Sequence, residues 1–130
     1  MNIHPTAIIS PNAKLGSNVK VDAFTIIHDN VLIGEGCDIG SHCELGVKNQ
    51  LSEGIPLTIG AKSVIRSHSV FYEGSNFGER LITGHRVTVR EKVKAGLNLQ
   101  IGTLSDIQGH CEIGDYVRFH SNVHIGQKSK

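Results

Sequence analysis

The sequence has no strong excess of charge of either sign and no long apolar run. Lysine and arginine number 13 against 12 acidic residues, which gives a formal net charge of +1 at pH 7. Without a basic or acidic run, nothing in the charge pattern points to nucleic acid or an anionic membrane as a partner. No stretch is apolar enough to span a bilayer and no N-terminal signal is recognisable, so we expect a cytoplasmic protein without a membrane span.

Cysteine is scarce, and no segment has the spacing of a helix. The three cysteines are Cys37, Cys43 and Cys111, and each stands four residues after an apolar position of the repeat described below. Because that fourth position is predicted to face inward, we interpret them as buried thiols that act as small hydrophobic side chains. This interpretation takes precedence over a disulfide, a metal ligand or a nucleophile.

An apolar residue recurs at every sixth position along nearly the whole chain. The count runs from Ile3 to Leu45 and, after one interruption, from Ile59 to Ile125, and 18 of these 20 positions are large and apolar. A period of six fits neither the 3.6-residue period of a helix nor the two-residue period of an ordinary strand. It is typical of a parallel β-helix, in which each hexapeptide forms a short strand and a corner.

Three further positions of each hexapeptide have their own residue types. The residue after the apolar position is glycine in 11 of the 20 repeats, and the fourth residue after it is small or β-branched. The third is rich in asparagine and glycine, which tolerate a positive φ, so we place the corner there. Three hexapeptides then close a triangular coil, and about six to seven coils stack about 4.8 Å apart. We predict an all-β, single-stranded parallel β-helix in one domain, residues 1–130.

The single interruption lies between Leu45 and Ile59, where the apolar count is 14 rather than 6. We predict that residues 46–58 leave the coil at a corner as an inserted loop. Such a loop is either a functional segment on a rigid scaffold or a tolerated surface insertion, and the sequence favours neither. No capping segment follows the last repeat, so we expect further C-terminal coils or a cap beyond Lys130.

Six of the eight histidines first receive a structural interpretation. Histidine is enriched among the non-glycine residues that adopt a positive φ, which suits the corner column. The outward position usually held by glycine accounts for the others. The corner column holds His42, His68 and His110, and the outward position holds His4, His28 and His120.

His85 differs because it is the only histidine at the second position after an apolar residue. Arg86, Arg90 and Glu91 follow closely, and Glu73 and Glu91 occupy the equivalent second position in their own repeats. A neighbouring carboxylate can orient an imidazole and raise its basicity, as a general base near neutral pH requires. We therefore select His85 as the candidate general base.

Together, the repeat and three segments resemble the hexapeptide-repeat acyltransferases over essentially all 130 residues. Within that group the chain is most similar to bacterial acetyltransferases that modify nucleotide-linked or lipid-linked sugars for surface polysaccharides. The repeat is the more specific signal for fold, and the segments narrow the function. These segments are Ile65-Arg66-Ser67-His68-Ser69-Val70, Thr83-Gly84-His85 with Val89-Arg90-Glu91, and His120-Ser121-Asn122-Val123-His124-Ile125-Gly126.

This resemblance implies a left-handed coil and a homotrimer with its active site in the groove between two prisms. Acetyl-CoA would lie along the prism as co-substrate, and the acetyl group would pass to a hydroxyl or amine of a sugar or sugar nucleotide. No metal is implied, and the inserted loop would cover the groove or reach a neighbouring subunit. The resemblance assigns the general base to His85, with His120 second, and acceptor contacts to Glu91, Arg90, Asn122 and Glu73.

Two other functions remain open at this point. The γ-type carbonic anhydrases use the same prism and hold zinc with histidines, and Gly84-His85 matches the start of their pattern. Arg90 stands where the next histidine ligand would be, and a guanidinium cannot ligate a metal, so we do not expect this site. The second alternative is a non-catalytic β-helix that serves as a scaffold, which the repeat alone would satisfy.

Overall fold

The computed structural model describes all 130 residues and shows a left-handed parallel β-helix of about seven coils. Each hexapeptide contributes one strand of two to four residues, and the apolar residue of every repeat lies within its strand. The predicted all-β fold built of hexapeptide repeats is therefore confirmed. The only helical segment is a 3₁₀ turn at Gln50–Ser52, and no helix is long and apolar enough to cross a membrane.

Twenty short strands make up the prism. In chain order they are β1 (Asn2–Ile3), β2 (Ile8–Ile9), β3 (Lys14–Leu15), β4 (Lys20–Val21), β5 (Ile26–Ile27), β6 (Val31–Ile33), β7 (Asp38–Ile39), β8 (Glu44–Val47), β9 (Leu57–Ile59), β10 (Val64–Ile65), β11 (Val70–Tyr72), β12 (Asn76–Phe77), β13 (Ile82–Thr83), β14 (Thr88–Val89), β15 (Val93–Ala95), β16 (Gln100–Ile101), β17 (Asp106–Ile107), β18 (Cys111–Ile113), β19 (Arg118–Phe119) and β20 (His124–Ile125).

The strands form three parallel sheets, one on each side of the triangle. Sheet A contains β1, β4, β7, β10, β13, β16 and β19; sheet B contains β2, β5, β8, β11, β14, β17 and β20; sheet C contains β3, β6, β9, β12, β15 and β18. Neighbouring strands are offset by 18 residues, as in the pair Ile3 and Val21. Across the interruption the offset is 26 residues, because Asp38 pairs with Val64. Each coil is thus hydrogen-bonded to the next on all three sides.

The inside of the prism holds a continuous column of the apolar strand residues. Phe71 and Phe77 are both buried, and their rings meet edge to face with centroids 5.4 Å apart. The predicted burial of the three cysteines is confirmed, since all are buried free thiols. Desolvation raises the pKa of Cys37 and Cys43, which keeps these thiols protonated near neutral pH.

Small side chains face inward just before each strand, and several of them are buried hydroxyls. Ser69 Oγ donates to the backbone oxygen of Arg66 and accepts from the backbone N–H of Val87, one coil further on. The same contact between coils joins Ser63 to Leu81 at 3.1 Å. Because a buried N–H without a partner is costly, these hydroxyls satisfy the core backbone as well as filling space.

The three corners of the triangle differ in composition. We name them AB, BC and CA after the sheets they join. Most residues at the third position after the apolar residue have a positive φ, as predicted, among them Asn18 and His42. The residue types are broader than predicted, because Phe24, Leu104 and Tyr116 adopt the same conformation.

Candidate functional site

Five of the eight histidines lie at corner AB, which we call the histidine corner. It consists of the turns between sheets A and B, residues 4–7, 22–25, 40–43, 66–69, 84–87, 102–105 and 120–123. The sequence spacing brings them there because residues 18 apart stack on successive coils. The five are His4, His42, His68, His85 and His120.

His85 is exposed and held by its neighbours on the coils before and after it. Its Nδ1 is hydrogen-bonded to Ser67 Oγ at 2.8 Å, and its backbone N–H donates to Thr103 Oγ1 at 3.1 Å. The absence of a side chain at Gly84 allows this approach, since a Cβ there would lie 2.6 Å from Thr103 N. The imidazole is thus positioned by two hydroxyl side chains in its own column.

The predicted orientation of His85 by a carboxylate is wrong. Glu91 follows His85 by one hexapeptide, and one hexapeptide advances the chain by one corner. Glu91 and Glu73 therefore lie at corner BC. The partner at the histidine corner is Ser67, a neutral hydroxyl, which sequence reasoning missed although it precedes His85 by one 18-residue coil.

Beside His85, aromatic rings stack along the same corner. Phe24 and His42 have ring centroids 5.1 Å apart, and His42 and His68 stack 4.8 Å apart with planes 2° from parallel. Partial desolvation in this stack, together with the charges of His42, Arg86 and His85, lowers the pKa of His68. His68 therefore tends to be neutral near pH 7, as its predicted structural role at a corner would allow.

A shallow groove of about 380 Å³ runs along sheet A next to the histidine corner. Two guanidinium groups line it, and Arg118 is steadied by a hydrogen bond from its Nε to Gln100 Oε1 at 2.9 Å. His120 also lines the groove, and Asn122 lies two residues further along the same turn. The other side chains and backbone that carry the argument here are Arg66, Gly84, Gly102 and Ser121.

The remaining predicted site residues lie together at corner BC, under the inserted loop. Glu91 is 1% exposed, and its Oε1 accepts hydrogen bonds from Asn49 Nδ2 at 2.6 Å and Arg90 Nε at 3.3 Å. The guanidinium of Arg90 also lies 4.5 Å from the centroid of the Tyr72 ring. Arg90 thus joins a buried carboxylate to a partly exposed aromatic surface.

Glu73 is likewise buried, at 6% exposure, and holds the loop from the preceding coil. It accepts hydrogen bonds from Ser52 Oγ at 2.7 Å and from Asn30 Nδ2 at 3.3 Å. The chain leaves the prism between Val47 and Leu57, so two carboxylates of the prism fix this segment. Sequence reasoning missed these loop contacts because the insertion breaks the six-residue count that aligns all other neighbours.

The structure therefore separates the six predicted site residues into two groups. His85, His120 and Asn122 share the histidine corner, whereas Arg90, Glu91 and Glu73 share corner BC. No group of three or more histidine, cysteine, aspartate or glutamate side chains in the chain is arranged to hold a metal ion.

Comparison with known proteins identifies the repeat and the fold. Residues 12–46 match the bacterial transferase hexapeptide family (six repeats). A comparison with curated protein sequences finds no match. The resemblance to hexapeptide-repeat acyltransferases is confirmed at the level of the repeat and the left-handed β-helix.

Solved structures similar to this chain are sugar-nucleotide acyltransferases. The UDP-N-acetylglucosamine acyltransferase of Arabidopsis is 22% identical, with a TM-score of 0.82 over 97% of this chain and 49% of its own. The UDP-N-acetylglucosamine O-acyltransferase of Moraxella catarrhalis RH4 is 25% identical, with a TM-score of 0.68 over 98% and 61%. The chain thus spans about half to three-fifths of the length of these proteins.

Proposed function

We propose that this chain carries the histidine corner of an acyltransferase that moves an acetyl group from acetyl-CoA to a hydroxyl or amine of a nucleotide-linked or lipid-linked sugar. The observation that carries the proposal is the exposed imidazole of His85, positioned beside an arginine-lined groove on a fold shared with sugar acyltransferases. A role in making surface polysaccharides would follow from such a substrate.

In this reaction His85 acts as general base. It removes the proton from the acceptor hydroxyl or amine while the oxygen or nitrogen attacks the thioester carbonyl. The tetrahedral intermediate then collapses, the C–S bond breaks, and the proton passes to the leaving CoA thiolate. A positioned general base contributes roughly 10²–10⁴-fold to such a rate, and backbone N–H groups near the groove would stabilise the oxyanion.

The groove beside His85 suits an acceptor that carries phosphate. Arg66 and Arg118 line it, and the planar guanidinium matches phosphate oxygens in charge and geometry. We propose that His120 contacts the acceptor there, as the second candidate for the base, and that Asn122 offers its amide to a sugar hydroxyl. Both residues lie at the same corner as His85.

At corner BC, we propose that Arg90 contacts substrate through its partly exposed guanidinium. A substrate contact by Glu91 or Glu73 stays a prediction, because Asn49 or Ser52 would have to give way first. In a trimer of parallel prisms, corners from two subunits can face the same groove. We therefore propose a homotrimer in which the inserted loop lies at this intersubunit groove.

The first test is calorimetric titration of the chain with acetyl-CoA after light scattering has established its mass. Saturable binding to a trimer is the expected result. Transfer of labelled acetyl to UDP-N-acetylglucosamine and to amino-sugar nucleotides is then measured for the wild type and for His85→Ala. We expect the variant to lose about 100-fold or more in rate with an unchanged melting temperature.

His28→Ala is the matched control, because His28 is a partly exposed histidine at corner BC that binds Glu44 at 2.7 Å. It should keep the wild-type rate. A folded chain that neither binds acetyl-CoA nor transfers acetyl would overturn the proposal in favour of a scaffold. Equal rates for His85→Ala and His28→Ala would remove His85 from the mechanism.

A further inference from the structure

We propose that Ser67 is a positioning residue that holds the His85 imidazole in one tautomer, with hydrogen on Nδ1 and the lone pair on Nε2. This inference rests on the proposed function of His85. It assigns to a neutral hydroxyl the place that a carboxylate would take in a histidine–carboxylate pair.

The hydrogen bond between Ser67 Oγ and His85 Nδ1 permits two arrangements. Either the hydroxyl donates to an unprotonated Nδ1, or a protonated Nδ1 donates to the hydroxyl oxygen. A neutral imidazole carries one hydrogen, so the nitrogen that accepts a proton from substrate must be the one without it. Nδ1 is already engaged by Ser67, and Nε2 makes no hydrogen bond within the chain. General-base action through Nε2 therefore requires the second arrangement.

The backbone fixes both partners of this hydrogen bond. The backbone oxygen of Ser67 accepts from the N–H of Arg86 at 2.9 Å, which ties the two successive turns together. On the other side, the backbone oxygen of His85 accepts from the N–H of Leu104 at 3.0 Å, and Thr103 Oγ1 receives the His85 N–H. The 18-residue register thus determines the distance between hydroxyl and imidazole, and a flexible loop plays no part.

The surroundings of His85 favour positioning over charge stabilisation. No carboxylate is hydrogen-bonded or ion-paired to the imidazole, and the charged or titratable groups close to it are His68 and Arg86. A hydroxyl can orient the ring without adding the negative charge that would hold a proton on it. Ser67 should consequently determine which nitrogen is free and leave the charge state to the solvent.

The direct test is the ¹⁵N spectrum of histidine-labelled full-length chain, without ligand, at a pH where His85 is neutral. Subtracting the spectrum of His85→Ala assigns the His85 signals. We expect the Nδ1–H tautomer in the wild type and in Ser67→Thr, which retains the hydroxyl and has a precedent in Thr103 of the same column. Ser67→Ala should populate both tautomers, because the imidazole then has no fixed partner.

Ser41→Ala is the matched control, since Ser41 holds the same position on the preceding coil and its hydroxyl binds no histidine. Acetyl transfer to the best acceptor nucleotide should fall about 10-fold in kcat for Ser67→Ala, with KM little changed and activity restored in Ser67→Thr. An Nε2–H tautomer in the wild type, or Ser67→Ala matching Ser41→Ala in both measurements, would overturn the inference. If His85→Ala retains activity, the proposed function fails, while the tautomer spectra still decide whether Ser67 orients the ring.

Discussion

Phe24, Leu104 and Tyr116 hold left-handed backbone conformations at corners where asparagine or glycine would be less strained. A bulky residue in this region costs about 1–2 kcal/mol. At the histidine corner, stacking offsets part of that cost, because Phe24 packs on the ring of His42, which in turn stacks on His68. At this scale, the position within the repeat determines the backbone, and the side chain adapts to it.

The stacked His68 should make the stability of the chain depend on pH. Its pKa is lowered in the folded state by partial desolvation and by the charges of His42, Arg86 and His85. The folded state therefore disfavours the protonated form relative to the unfolded state. The stability conferred by neutral His68 is complete above the ordinary histidine pKa and is lost as pH falls through that value toward the folded one. We predict a larger drop in melting temperature from about pH 8 to about pH 5.5 for the wild type than for His68→Asn.

The control for this pH prediction is His110→Asn. His110 also has a positive φ of 57°, but its ring stacks on no other ring. Both substitutions place asparagine, which tolerates this conformation, in a corner position. An identical pH dependence in His68→Asn and wild type would show that the stacked ring is not the source of the effect.

Residue-level predictions from the sequence succeeded where one coil sufficed. The inward direction of Cys37 and the positive φ of His42 follow from their place in the hexapeptide, which the apolar count fixes. The partner of His85 required the next level, because Ser67 becomes a neighbour only when the 18-residue coil is built. The carboxylate expected there has the correct position in its repeat and lies at another corner.

At the scale of the element, corner CA shows why one column is glycine. All six of its turns begin with glycine, namely Gly16, Gly34, Gly60, Gly78, Gly96 and Gly114. A Cβ at Gly60 would lie 2.5 Å from the backbone oxygen of Gly78 and 2.6 Å from Glu79 N. Backbone on the next coil cannot move aside without breaking the register. The glycine column thus permits adjacent coils to approach at this corner.

Gly60→Ala should destabilise the chain by about 2–3 kcal/mol, because the added methyl group overpacks against fixed backbone. Gly114→Ala is its matched partner, since a Cβ there would have no atom within 4 Å. We expect Gly114→Ala to be neutral or stabilising by up to about 0.5 kcal/mol through a less flexible unfolded chain. Urea unfolding of the two variants measures the difference, and equal stabilities would contradict the close-approach explanation.

The inserted loop is the element that sequence reasoning could place but not describe. The break in the apolar count located it at a corner, yet no periodic signal connects Asn49 or Ser52 to the carboxylates that bind them. Those contacts join residues 42 and 21 positions apart, Asn49 to Glu91 and Ser52 to Glu73. Two buried carboxylates with neutral donors thus make the loop a fixed part of the prism surface.

For the molecule as a whole, the three sheets make every coil dependent on its neighbours. Each strand pairs with the strands one coil before and after it, as β11 does with β8 and β14. The apolar column continues without a break through the coil that carries the insertion, from Leu45 to Ile59 and Phe71. Opening the prism at any interior coil would therefore expose two apolar faces together with three rows of unpaired backbone groups.

We predict that this arrangement transmits a core defect along the prism. Phe71→Leu should cost about 1–1.5 kcal/mol, because leucine leaves part of the volume beside Phe77 unfilled. Native-state hydrogen exchange should report that loss at Ile26 and Asp106, whose amides are bonded to Cys43 and Val123 two strands away on either side. The reason is that breaking the stack near Phe71 costs more than unfolding all coils together. Protection that falls only in β8, β11 and β14 would instead mean that each coil opens with its nearest neighbours alone, as a linear repeat of weakly coupled units does.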